Sequence, residues 1–347
     1  MNILLGFLFH ITGGVAAGSF YMPFKKVKEW NWENYWIVGG FFSWMIVPFL
    51  AAWVFFPDFL SVVFSGNYPI FYVILFGVLW GIGGLTYGLG IRYLGMSLGN
   101  SVILGFTSVF GSLLPAIYYD FTNTEGKETI SMMASKTGGQ VVLLGILLCV
   151  ISIVLLGRAG FLKDKDLKSD KNNSEYNIKL GIFVAIFSGI LSACFNYGIE
   201  AGKPLAEASM ARGVNPLFQN NITFAVLLWG GFATNFIWCM ALNFKNRSFN
   251  QYLDKSKPLR KNYLFAALAG TIWFLQFFFY GMGESKLGNG ASSWILHMAS
   301  IILVGNLWGI VLKEWRGVKK STLKFLYLGI ICLLGSIALV GIGNSLD

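Results

Sequence analysis

The chain contains two histidines, His10 and His297, and both lie inside long stretches without charged residues. Each imidazole lies about nine or ten residues into its stretch, which in a helix corresponds to a depth of roughly 15 Å, near the middle of a bilayer. An imidazole changes its charge near neutral pH and can bind and release a proton there. We predict this role first for His297, because Ser293 and Trp294 flank it, and then for His10. The alternative is a structural histidine bonded to a neighbouring helix.

A third titratable candidate, Glu200, ends a polar stripe. Ser188, Ser192, Asn196 and Glu200 are spaced four residues apart, so they share one face of a helix. Glu200 is the next candidate for proton binding after the histidines. An exposed ion pair with Lys203, three residues later, accounts for it equally well.

Aromatic and amide side chains recur at helical spacing in the same stretches. Trp273, Gln276 and Tyr280 are spaced three and four residues apart and share a helix face. Aromatic rings offer a flat surface to the C–H face of a pyranose, and Asn or Gln amides pair with its hydroxyl groups. A belt of tryptophans at the membrane surface is the alternative, but Trp80 and Trp273 lie in the middle of their stretches. The predicted sugar contacts are Trp80, Tyr87, Asn196, Gln219, Asn220, Trp273, Gln276, Tyr280 and Trp294.

The composition indicates that membrane helices carry these side chains. Hydrophobic residues make up 55% of the 347 residues, charged residues 12%, and the mean hydropathy is +0.63. About a quarter of the residues in soluble domains are charged. This excludes a soluble enzyme, a disordered protein and a nucleic-acid-binding module, although the net charge is +10. The four cysteines are dispersed through apolar stretches and no HExxH motif occurs, so we expect no metal and no cofactor.

Ten stretches are long enough to cross the hydrocarbon core as helices, which takes about 20 apolar residues. We place them at residues 1–24, 34–57, 70–91, 93–119, 137–157, 180–199, 213–244, 262–283, 287–312 and 325–346, with a tight glycine-rich connection at 95–99. The predicted fold class is an all-α membrane protein with ten transmembrane helices.

The basic residues between these stretches are distributed unevenly. Loops after odd-numbered helices hold 21 of the 26 Lys and Arg residues, and loops after even-numbered helices hold 5. Basic loops tend to remain in the cytoplasm. Both termini are therefore predicted to lie outside, and the polar linker 161–179 is predicted to be cytoplasmic.

The two halves of the chain repeat one another. Five residues of the third helix recur 193 residues later in the eighth: Gly77/Gly270, Trp80/Trp273, Tyr87/Tyr280, Gly88/Gly281 and Gly90/Gly283. Because each repeat has an odd number of helices, the second copy inserts in the opposite orientation. Such inverted repeats are typical of secondary transporters, which bind substrate near the midplane and work by alternating access. We predict two five-helix repeats, residues 1–160 and 180–347. No Walker motif occurs, and no ATPase subunit is expected.

Five segments together carry a family resemblance: FYMPFKKVKEW (20–30), RYLGMS (92–97), WFLQFFFYGMG (273–283), SWILHM (293–298) and VLKEW (311–315). They resemble the bacterial L-rhamnose/proton symporter family of the drug/metabolite transporter superfamily, and the similarity runs along nearly the whole chain. The resemblance implies a 5+5 helix fold in the bacterial inner membrane. It also implies uptake of L-rhamnose, or a related deoxyhexose, driven by proton entry, so that sugar, proton and lipid bilayer are the expected partners.

Two other functions stay open from the sequence alone. An exporter of a small metabolite would share the same scaffold, since direction follows from gradients and coupling. An intramembrane serine hydrolase is suggested by G-x-S-x-G at residues 95–99. That motif, however, needs a strand–turn–helix setting, and Ser97 falls at the cytoplasmic end, far from both histidines.

Overall fold

The computed structural model describes residues 2–94, 96–167 and 177–346, and these are helical or in turns and loops, without a strand. Within them, ten helices are long and apolar enough to span a membrane. They are α1 (Asn2–Ser19), α2 (Trp32–Phe55), α3 (Ile70–Leu94), α4 (Met96–Thr122), α5 (Thr137–Asp166), α6 (Ile178–Ala201), α7 (Asn221–Asn246), α8 (Leu259–Leu287), α9 (Gly290–Val311) and α10 (Lys320–Leu346). The prediction of an all-α protein with ten transmembrane helices is confirmed.

Helix α5 continues to Asp166, well beyond its predicted end. Lys163 in this extension lies 4.8 Å from the ring centroid of Trp315. The hydrocarbon part of the Lys163 side chain therefore lies on apolar surface, while its charge stays at the end of the helix. A last turn that carries charges is in this way compatible with a membrane-spanning helix. The first part of the predicted linker 161–179 is consequently helical. Residues 168–176 of the linker lie outside the described residues.

The prediction of a tight connection at residues 95–99 is wrong for residues 96–99. Helix α4 begins at Met96, so these residues are helical, and Gly95 lies outside the described residues. Gly99 allows close packing instead, because a Cβ at this residue would lie 2.9 Å from the Cα of Ile91 in α3. Small residues at such a contact let two helix backbones approach.

Helix α2 is not regular along its length. A π-helical turn, Phe42–Ile46, separates its two α-helical parts, and Pro48 follows this turn. A π turn inserts one residue into a helix and often occurs at functional sites. Here the turn carries Trp44, whose side chain is 3% exposed and lies among aromatic rings of α3 and α8.

The helices of the two halves interleave. Helix α1 packs against α8 and α9, whereas α6 packs against α3 and α4. Helix α2 packs against α8, α7 against α3, and α5 against α10. Each contact has its counterpart when the first five helices exchange places with the last five, as the predicted inverted repeat requires. The division into two repeats stays a prediction.

Loops after odd-numbered helices meet at one end of the bundle. The backbone N–H of Lys28 donates to Asn262 Oδ1 over 3.1 Å, and the indole of Trp30 donates to the carbonyl of Gln251 over 2.9 Å. We call this the basic end, because these loops hold 21 of the 26 basic residues. We call the other end of the bundle the opposite end. Which of them faces the cytoplasm stays a prediction.

Candidate substrate and proton site

His10, His297 and Tyr280 meet where three helices, α1, α9 and α8, pack together. The ring centroids lie 5.3 Å apart for His10 and Tyr280, 5.2 Å for His297 and Tyr280, and 6.1 Å for the two histidines. The three side chains are at most 1% exposed. We call these residues the histidine cluster. The two predicted proton carriers therefore belong to one site.

The imidazoles of this cluster have no hydrogen-bond partner within the described residues. A neutral imidazole carries one N–H donor and one acceptor nitrogen, and a buried polar group without a partner costs about 1–3 kcal/mol. The His10 ring also lies tightly against α8, since a Cβ on Gly283 would be 2.6 Å from its Nε2 atom. Nitrogens of this kind can bond to a hydroxyl group, and the acceptor nitrogen can take up a proton.

Tyr280 connects the histidine cluster to α6 and α4. Its hydroxyl donates to Asn196 Oδ1 over 3.3 Å, and Asn196 Nδ2 donates to the carbonyl of Gly111 over 2.8 Å. The indole of Trp294 donates to the carbonyl of Thr107 over 3.0 Å, and its ring lies over Gly111, where a Cβ would clash. These contacts fix Asn196 and Trp294 beside the cluster.

Trp44, Trp80 and Trp273 form a second group of rings, which we call the tryptophan group. They come from α2, α3 and α8, and their centroids lie 6.2 Å (Trp44–Trp80), 6.0 Å (Trp44–Trp273) and 5.6 Å (Trp80–Trp273) apart. Phe277 lies between the two groups, 5.1 Å from Trp273 and 6.1 Å from His297. The predicted contacts Trp80 and Trp273 are brought together. Trp44 was missed, although its position in mid-helix was a signal.

The tryptophan group is closed in this conformation. A cavity of about 10 Å³ remains beside Trp44 and Trp273, with Phe24, Trp36 and Gly270 in its wall. That volume suits about one water molecule. A sugar therefore reaches these rings only after the surrounding side chains move apart.

Charged and polar residues meet at the opposite end. Lys203 Nζ lies 2.7 Å from the carboxylate of Glu200, and the hydroxyl of Tyr119 donates to the same carboxylate over 3.0 Å. Asn220 Nδ2 donates to Glu284 Oε2 over 2.7 Å. We call these five residues the opposite-end group. The side chain of Glu200 is 11% exposed and that of Lys203 is 32% exposed, so the ion pair exists and its carboxylate is the more shielded partner.

Known proteins match this chain from end to end. A family model described as L-rhamnose-proton symport protein matches residues 1–346. Relatives named L-rhamnose-proton symporter are 37% identical over 354 residues in Pectobacterium atrosepticum and in Pectobacterium carotovorum subsp. carotovorum, and 36% identical over 351 residues in Yersinia pestis. Each match covers 99% of this chain and 98% of the relative. The chain belongs to the L-rhamnose-proton symporter family.

Membership in this symporter family decides between the classes of function. The protein is a multi-pass membrane transporter and not an enzyme, and the exporter alternative is not favoured. The G-x-S-x-G segment lacks its required setting, because residues 96–122 are one helix. Among the residues that the structure describes, no three His, Cys, Asp or Glu residues are placed to hold a metal ion.

Not all sugar contacts predicted for this symporter lie in the histidine cluster or the tryptophan group. Tyr87 lies further along α3, where its hydroxyl donates to Asn100 Oδ1 over 2.7 Å. Asn220 belongs to the opposite-end group, and Gln219 precedes it, with its carbonyl accepting from Ser209 over 3.3 Å. The predicted contacts found in or beside the histidine cluster and the tryptophan group are Trp80, Asn196, Trp273, Gln276, Tyr280 and Trp294. As sugar contacts, all of these residues stay predictions.

Proposed function

We propose that the protein imports L-rhamnose, or a closely related deoxyhexose, together with a proton across the bacterial inner membrane. The relatives that carry the symporter name align with nearly the whole chain. The observation that carries the proposal is the pair of buried imidazoles, without partners in the described residues, beside a group of aromatic rings. That combination suits a ligand with hydroxyl groups and an apolar face, coupled to a proton.

The sugar binds between the histidine cluster and the tryptophan group after the side chains that fill this position, Phe277 among them, move apart. Its apolar face stacks on Trp80 or Trp273 once these rings separate. Its hydroxyl groups bond to the histidines and to Gln276, which is 5% exposed and whose amide donates to the carbonyl of Trp273 over 2.9 Å. The methyl group that distinguishes a 6-deoxyhexose packs on Phe277, which lies between the two groups.

The other predicted contacts surround this position. Asn196, Tyr280 and Trp294 border the histidine cluster from α6, α8 and α9. Gln219 and Asn220 lie toward the opposite end, and Tyr87 lies toward the basic end of α3. We propose that the first three contact the bound sugar and that the other three contact it on entry and exit.

A histidine couples the proton to the sugar, with His297 before His10 and Glu200. A charged imidazolium in an apolar interior needs a hydrogen-bond acceptor. A sugar hydroxyl provides this acceptor, and the protonated ring in turn makes the stronger, charge-assisted hydrogen bond. Such coupling is reciprocal, so the proton raises the affinity for the sugar by the same factor as the sugar raises the affinity for the proton.

Transport requires the two ends to open in turn. The uneven basic loops support a basic end in the cytoplasm and both termini outside. The bonds of Lys28 with Asn262 and of Trp30 with Gln251 close the basic end, and the opposite-end group closes the other. Residues 1–160 and 180–347 act as the two repeats that exchange these states, and the linker 161–179 joins them.

Transport by the purified protein in liposomes tests the proposal. An imposed inward proton gradient should drive accumulation of labelled L-rhamnose, and sugar added without a gradient should alkalinise the external medium. L-Mannose, which carries CH₂OH in place of the C6 methyl, should be taken up more slowly. A protonophore should abolish accumulation but leave sugar exchange intact. No transport of any deoxyhexose, or transport indifferent to the proton gradient, contradicts the proposal.

A further inference from the structure

Glu284 is a carboxylate enclosed by protein near the end of α8. It is 8% exposed, and its Oε2 atom accepts a 2.7 Å hydrogen bond from Asn220 Nδ2. Asn220, which is 5% exposed, directly precedes α7. The other deeply buried glutamate in the described part of the chain, Glu33, accepts from three side chains, those of Asn31, Asn246 and Ser248. The carboxylate of Glu284 is therefore the less fully compensated of the two.

The charges that surround Glu284 do not pair with it directly. Lys203, Glu200 and Lys127 are the charged groups in electrostatic range from the neighbouring elements. Lys203 forms its 2.7 Å ion pair with Glu200, and its side chain is 32% exposed. A carboxylate that is enclosed, holds one amide partner and shares a cation with a second carboxylate is well placed to take up a proton.

Glu284 also lies on the way to the histidine cluster. It follows Tyr280 by four residues, so the two side chains share a helix face about 6 Å apart along the axis. His10 packs against Gly283, the residue before Glu284, and both nitrogens of His10 lack a partner within the described residues. An unsatisfied, fully buried imidazole thus lies next to the helical turn that carries the carboxylate.

We propose that Glu284 binds the co-transported proton from the opposite end before the proton reaches the histidine cluster. This inference rests on the proposed function and extends it to a residue outside the predicted site. The carboxylate takes a proton from a hydronium ion of the external water and becomes a neutral acid. It becomes a carboxylate again when that proton passes inward to an imidazole nitrogen.

Proton binding at this position also changes a contact between two helices. The ionised carboxylate accepts from the Asn220 amide, whereas the neutral acid carries an O–H that must itself find an acceptor. Protonation therefore weakens the charge-assisted bond that joins the end of α8 to the beginning of α7, because the oxygen of a neutral acid is a poorer acceptor than a carboxylate oxygen. Proton uptake at Glu284 thus weakens one of the contacts that hold the opposite end together.

Glu284→Gln in liposomes tests this role, because glutamine keeps the shape of the side chain and cannot titrate. We expect gradient-driven accumulation of labelled L-rhamnose to fall at least about tenfold, while exchange without a gradient stays within about threefold of the wild type. Sugar-induced alkalinisation should disappear. Glu207→Gln is the matched control, since Glu207 is an exposed carboxylate near Lys203 at the same end, and it should behave like the wild type.

Asn220→Ala provides a second readout if the glutamine variant does not purify as a folded protein. It removes a donor to the ionised carboxylate, so half-maximal uptake should occur at a higher external pH than in the wild type. A wild-type pH profile in Asn220→Ala, or proton-driven accumulation at wild-type level in Glu284→Gln, overturns the inference. The proposed function fails separately, when the wild-type protein itself exchanges no deoxyhexose or couples none to protons.

Discussion

Gly77 in α3 and Gly270 in α8 make the same kind of contact in the two halves of the protein. A Cβ on Gly77 would collide with the carbonyl of Leu227 in α7, and a Cβ on Gly270 would collide with the carbonyl of Gly39 in α2. The two glycines are 193 residues apart, the offset of the predicted repeat. Equivalent residues thus hold equivalent helix pairs at a distance that leaves no room for a side chain.

Gly77→Ala should destabilise the folded protein by about 1–3 kcal/mol, because the added methyl group forces α3 and α7 apart. Gly84→Ala in the same helix is the matched control, since a Cβ there meets nothing within 4 Å and alanine favours a helix. Thermal unfolding of both variants in detergent measures the difference. Equal melting temperatures would show that the Gly77 contact is not tight.

Trp273→Ala and Gln276→Ala should each weaken sugar transport while leaving the protein folded in the membrane. The loss of a stacking face or of an amide partner costs about 1–3 kcal/mol, or roughly a 5- to 150-fold loss of affinity. The concentration for half-maximal exchange of labelled L-rhamnose measures it. Trp53→Ala, which removes an indole that is 51% exposed on the outside of α2, should leave transport unchanged. Unaltered transport in the first two variants would place the sugar nearer α6 and α7.

His297→Gln should still exchange sugar but should no longer concentrate it against a gradient. Glutamine keeps donor and acceptor groups for the sugar and cannot carry the proton. Exchange and proton-driven accumulation, measured in the same liposomes, separate the two functions. His10→Gln should show the same pattern more weakly. If both variants still accumulate sugar with the wild-type dependence on the proton gradient, the histidines are structural.

A cysteine introduced at Ser169 should resist a membrane-impermeant thiol reagent in intact cells and react after permeabilisation. The basic loops predict a cytoplasmic position for this residue, which lies outside the described residues. Glu125→Cys, in the exposed loop after α4, should react in intact cells. A Cys332→Ser background removes the one native cysteine that is not fully buried. Labelling at residue 169 in intact cells would reverse the orientation.

The sequence predicts the number and order of the helices well, because a bilayer requires long uncharged stretches. It predicts their ends less well, since α7 begins at Asn221 and not at residue 213, and α5 continues to Asp166. It also predicts which side chains share a face, such as Trp273, Gln276 and Tyr280. It cannot predict that His10 and His297 meet around Tyr280, since this contact depends on how α1, α8 and α9 pack. For the same reason, the sequence places Glu284 only at the end of its helix and does not predict that the side chain is buried beside Asn220.

Trp44 shows a second limit of reasoning from the sequence. Its face of α2 carries no polar residue that marks a site. The π-helical turn Phe42–Ile46 also shifts the helical spacing by one residue, so a regular 3.6-residue pattern does not place Trp44 opposite Trp80 and Trp273. Local irregularity of this kind leaves no clear trace in hydropathy, although it decides which rings close the tryptophan group.

The same turn sets the direction in which the Trp44 side chain points. A π turn holds one residue more than an α turn, and one residue corresponds to about 100° of rotation around an α-helix. Converting Phe42–Ile46 to α geometry would turn Trp44 away from the rings of Trp80 and Trp273 by about that angle. The extra residue of the π turn therefore keeps the Trp44 ring against the rings of Trp80 and Trp273.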